Sequence, residues 1–106
     1  MTERMIGLAR ELADLAQQGK FRSDPIAVER VHLRSIFFAE SADKLSPGFK
    51  SRYRSLWQLV RAFRTIVIHE YEAVDPEDLW QFIRDDLPRV VSTLKRAKFP
   101  KGEASH

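Results

Sequence analysis

Residues 53–71 read YRSLWQLVRAFRTIVIHEY. Tyr53, Leu56, Val60, Phe63, Val67 and Tyr71 recur at intervals of 3, 4, 3, 4 and 4. That spacing keeps them on one face of an α-helix and predicts an apolar seam beginning near Phe49. Just downstream, Asp75-Pro76-Glu77-Asp78 starts another helix: Asp75 caps, Pro76 takes the first helical position, and the two acids complement the positive helix end. Leu79, Ile83, Leu87, Val90, Val91 and Leu94 form its buried face. Pro88 lies inside this helix, deletes a backbone bond and opposes the carbonyl of Arg84, so a kink is expected there.

Two further helices precede the seam. The first runs from about Thr2 to Gln18, with Ile6, Ala9, Leu12, Ala13 and Ala16 at helical spacing and Gly19 as a stop signal. The second starts at Asp24-Pro25 and carries Val28, Val31, Ser35, Ala39 and Ala42 on one face, flanked by Phe38 and Leu45. Ser46-Pro47-Gly48 is expected to break it. No strand pattern competes and the connections are short. The fold class expected is all-α, an up-and-down bundle of four helices, or five. Residues 1–98 form the single domain, and Phe99 to His106 reads as a flexible tail. Ile26, Leu33, Ile36 and Phe37 lie off the main stripe of the second helix. One bundle has no use for that much apolar surface, so a homodimer is expected.

Composition narrows the function. The chain has 106 residues, no cysteine and three histidines, one of them the last residue. A disulfide framework, a thiolate zinc site, a cysteine nucleophile and a site built on several histidines are therefore not expected; no metal and no cofactor is called for. No stretch approaches the roughly 20 apolar residues of a membrane helix, and the amphipathic N-terminus lacks the apolar block of a signal peptide. The cytoplasm is the expected compartment.

The net charge is only +3, but it is segregated. Between Asp43 and Glu70 there is no acid, while Lys44, Lys50, Arg52, Arg54, Arg61 and Arg64 all fall there. After an acidic run from Glu70 to Asp78, the stretch from Arg89 to Lys101 is again purely basic. Two such blocks can make an electrostatic footprint for a polyanion, or simply a solvated basic surface.

Arg64, His69 and Tyr71 can carry chemistry. Arginine holds a permanent charge in a fork that matches phosphate oxygens, and histidine transfers protons near neutral pH. Together they suffice to cleave RNA without metal. The ribose 2′-hydroxyl attacks the adjacent phosphorus, a base takes its proton, an acid protonates the leaving oxygen, and a cation stabilises the growing charge. The scheme needs two proton carriers, which a dimer would supply. Positions five apart on a helix differ by about 140° in direction. Arg64 and His69 meet only if the helix unwinds near its end, if the long arginine curls round, or if the partner chain supplies one of the two. Taken without further context, Arg64 and His69 also fit a surface pair and Tyr71 a core residue.

The string Arg64 to Tyr71, then Val74-Asp75, Trp80 and Asp85-Asp86-Leu87-Pro88, resembles the HepT-like branch of the HEPN superfamily. Its hallmark is Arg, four to six residues, then His-x-Tyr, continued by a Val-Asp helix start and an Asp-Leu-Pro turn. The resemblance covers roughly Ile26 to Leu94. It implies a dimeric bundle of four to five helices and a metal-independent endoribonuclease, the toxin of a type VII toxin–antitoxin pair. Arg64 would be the phosphate-binding cation, His69 the proton-transfer residue, and Tyr71 the site of AMP addition (AMPylation) by an MNT-type nucleotidyltransferase antitoxin. RNA and that antitoxin are the implied partners. Thr65 stands where the family commonly has Asn or Asp; as a supporting residue its hydroxyl can bond a phosphate or orient Arg64, but it is no carboxylate. Two other readings stay open: a non-catalytic HEPN module that binds a nucleotide or the nucleotidyltransferase, which Thr65 favours, and a helical dimerisation protein, which the acid-free stretch disfavours.

Overall fold

A computed structural model describes residues 2–69 and 74–98 of the chain. The described residues are helical almost throughout: α1 (Thr2–Leu15), a 3₁₀ segment (Gln17–Ser23), α2 (Pro25–Asp43), α3 (Pro47–Arg52), α4 (Arg54–His69), α5 (Pro76–Gln81), a π turn (Phe82–Asp86) and α6 (Leu87–Lys98). The α5–π–α6 run occupies the place of the fourth expected helix. The expected tail, Phe99 to His106, lies outside the described residues.

Local chemistry explains the helix starts. The Asp24 carboxylate accepts from the amides of Ile26 and Ala27, and that of Asp75 from Glu77. Each cap is followed by proline, which has no amide to leave unpaired. Ser46-Pro47-Gly48 does more than break α2. Ser46 Oγ accepts from the amide of Phe49 and so caps a new helix, α3. The long third helix is thereby divided, with Tyr53 at the junction in a non-helical conformation.

One irregularity was not expected, and a second gives the disruption expected at Pro88 a different form. Gln18 and Gly19 both take positive φ in the 3₁₀ segment, at 55° and 74°. A Cβ on Gly19 would lie 2.9 Å from Trp80 Cε2, so only glycine fits. Close by, Arg22 bonds the carbonyl of Gly19 through Nε and both carboxylate oxygens of Glu77 through Nη1, tying the 3₁₀ segment to α5. The second irregularity lies just before Pro88. The disruption is taken up upstream, where Leu87 N–H bonds the carbonyl of Phe82, five residues back. A π turn adds one residue to the helical turn. Phe82 and Ile83 are both buried as a result.

The core draws on every long helix: Met5, Leu12, Val31, Phe38, Phe63, Val67, Leu79, Val90 and Leu94 are all sealed from solvent. Phe63 of α4 stacks on Phe82 with centroids 3.7 Å apart. The extra apolar surface of α2 is real. Ile36 packs against the core, but Ile26, Leu33 and Phe37 are 64%, 50% and 36% exposed. They fall on one outward stripe. No helix among the described residues is long and apolar enough to cross a membrane.

Candidate active site

Helix α4 carries both Arg64 and His69, and the Val60, Phe63 and Val67 seam fixes its rotation. Arg64 sits half-buried beside that seam. Its Nε is shielded from water and has no hydrogen-bond partner. No acid pairs with it among the described residues. A buried unsatisfied donor costs about 1–3 kcal/mol, more when charged. Among the described residues this permanent cation is partly dehydrated and uncompensated.

His69 is exposed in the last turn of α4. The helix continues without a break through His69, so Arg64 and His69 diverge by about 140°. Of the three ways they could meet, unwinding before His69 is not the one used. Thr65 is exposed, and its hydroxyl donates to the carbonyl of Arg61 at 3.1 Å. Its one proton is spent on its own helix, which leaves only the oxygen, as an acceptor, for another group. Tyr71, with Glu70, Glu72 and Ala73, lies outside the described residues.

The structure adds a residue that sequence reasoning missed. His32 is buried on α2, and its Nε2 lies 2.7 Å from the carbonyl oxygen of Val67. A carbonyl only accepts, so Nε2 carries the proton. Val67 lies two residues before His69, so this bond from α2 holds the stretch of α4 that carries His69. Its position next to Val31 on the buried stripe was the available signal.

The resolved shifts in proton affinity lie elsewhere. In the π turn, a bidentate hydrogen bond from Arg84 holds the exposed Asp85 carboxyl below the usual carboxylate range. Among the described residues no three His, Asp or Glu side chains come together as metal ligands.

The described residues thus form an all-helical bundle that carries an arginine and a histidine on one helix. The family model described as Ribonuclease HepT-like matches residues 2–97. The chain belongs to the HepT-like ribonuclease family. No curated protein and no solved structure matches it.

Proposed function

We propose that the protein is an endoribonuclease that cleaves RNA without a metal ion, working as a homodimer. The observation that carries this reading is Arg64: a partly buried cation with a shielded, unpartnered Nε. An RNA phosphate supplies the missing acceptor, and a fork-shaped donor suits it.

The divergence of Arg64 and His69 supports a composite site. The apolar stripe of Ile26, Leu33 and Phe37 on α2 is the surface on which a second copy packs. Because α2 runs beside the end of α4 through His32 and Val67, this packing brings two α4 ends to one cleft. Arg64 of one chain then works with His69 of the other. One His69 takes the proton of the 2′-hydroxyl as the bond from that oxygen to phosphorus forms. The second His69, protonated, gives its proton to the 5′ oxygen as the phosphorus bond to it breaks. Arg64 stabilises the charge on the phosphoryl oxygens. The products are a 2′,3′-cyclic phosphate and a 5′-hydroxyl. In this reading the enzyme is the toxin of a type VII pair, and an MNT-type nucleotidyltransferase silences it by adding AMP to Tyr71.

The test is incubation with a structured RNA in EDTA. Wild type leaves cyclic phosphate ends, and Arg64→Ala or His69→Ala slows cleavage by about 10²–10⁴ with the circular dichroism unchanged. A folded variant that cuts at the wild-type rate contradicts the role given to that residue. RNA binding without cleavage would favour the non-catalytic module, the reading to which the self-bonded hydroxyl of Thr65 lends weight.

A further inference from the structure

The two basic blocks of the sequence meet in space. The first half of α4 and the α6 helix form the walls of a groove of about 370 Å³. Arg52 and Arg54 come from the first block, Arg89 and Arg96 from the second, and among the described residues no acid lines the groove. Thr93 holds one of these cations in place: its hydroxyl donates to the Arg89 carbonyl at 3.0 Å and accepts from Arg96 Nη2 at 3.2 Å. Tyr53, half-buried at the junction of α3 and α4, adds an aromatic ring that carries the Arg52 guanidinium 5.6 Å from its centre.

Fold stability does not account for this concentration of charge. Arg54 opens α4, where the helix dipole disfavours cations, and Arg54, Arg89 and Arg96 repel one another across one groove. A basic groove with an aromatic ring beside it is how single-stranded nucleic acid is held without sequence preference. The arginines of the groove are also set apart from the residues assigned to cutting: Arg54 is about 15 Å from Arg64 along the α4 axis. Arg54 and His69 are at opposite ends of α4, about 22 Å apart along its axis. The next depression along the same seam contains Asp78 and Asp86 and repels an anion, which confines the basic track to the Arg54 end.

We propose that the groove walled by Arg52, Arg54, Arg89 and Arg96 binds the phosphodiester backbone of single-stranded RNA several nucleotides away from the cut. This rests on the ribonuclease reading for the identity of the polyanion, and on the groove itself for the site. The track gives long RNAs an affinity that short ones lack.

The experiment measures binding, which does not depend on cleavage. Fluorescence anisotropy is recorded with labelled single-stranded RNAs of 4 and 20 nucleotides, across a salt series, on the His69→Ala protein. The triple substitution Arg54→Gln, Arg89→Gln and Arg96→Gln in that background is expected to weaken the 20-mer about tenfold and to erase its advantage over the 4-mer. The slope of log affinity against log salt is expected to fall by about 2, at roughly 0.7 per lost phosphate contact on a single strand. If the triple variant fails to fold, Arg89→Gln alone carries the test, with a slope change of about 0.7. Unchanged affinity and slope overturn the proposal. So does a variant that keeps its RNA affinity but loses an acidic protein partner, which would make the groove a protein interface. Failure of the nuclease reading looks different: wild type would leave RNA uncut while the salt slope still fell in the variant.

Discussion

The Nε2 of His32 donates to the carbonyl of Val67 at 2.7 Å, and through this bond α2 is tied to the helix that bears Arg64 and His69. Replacing His32 by Leu removes this donor from the carbonyl. A loss of about 1–3 kcal/mol is expected in urea unfolding. The amides of residues 66–69 should exchange faster with solvent, and His32→Gln, which retains a donor, should recover part of the loss. Equal stability of His32→Leu and wild type would mean that the bond contributes nothing to the helix end.

Arg64 offers the opposite case, a residue that weakens the fold. Arg64→Met keeps an unbranched apolar stem and removes both the charge and the shielded Nε. Stability should stay level or rise by up to about 1–3 kcal/mol, because the unsatisfied donor is gone. RNA cleavage should fall by about 10²–10³, as when a donor to a developing oxyanion is removed. A variant that is less stable than wild type yet cuts RNA normally would assign Arg64 to structure.

Much of the architecture was legible because helix starts are local chemistry. Asp24-Pro25 and Asp75-Pro76 need only their own next few residues to act as caps, and the seam of Val60, Phe63 and Val67 needs only its period. The places that diverged depend on neighbours distant in sequence. The positive φ at Gly19 is matched to the ring of Trp80, and the π turn before Pro88 puts Phe82 onto Phe63. Ser46-Pro47-Gly48 was ambiguous for another reason, since the residues that end one helix also cap the next. In the site, residue type alone singled out Arg64 and His69. That the Nε of Arg64 has no partner among the described residues, and that His32 has one, becomes visible only once α2 lies against α4.

Gly19 makes the same point as a stability prediction. Gly19→Ala forces a side chain into the left-handed region and against Trp80 Cε2 at 2.9 Å. The cost should be about 1–3 kcal/mol, read as a lowered midpoint in thermal unfolding. An unshifted midpoint would show that the 3₁₀ segment relaxes without affecting α5.

Tyr71 is the expected point of control. It is seven residues from Arg64, so in a helical continuation it lies on nearly the same stripe, offset by about 20°. An AMP phosphate on its hydroxyl would then occupy the place meant for the RNA phosphate and neutralise Arg64. Incubation with a cognate nucleotidyltransferase and ATP should add the mass of AMP and abolish cleavage. Additions that persist undiminished in Tyr71→Phe, or modified protein that cuts at full rate, would contradict this.

The central claim is that Arg64 and His69 act across two chains. Co-expression of Arg64→Ala and His69→Ala under two different tags, followed by isolation of the mixed dimer, tests it most directly. The mixed dimer keeps one arginine and one histidine on opposite chains; lacking the second histidine it should stay well below wild type, but it should cleave RNA in EDTA at least tenfold faster than either parent homodimer, each of which has lost every copy of one group. A mixed dimer no more active than its parents would contradict the account and return Arg64 and His69 to a single chain.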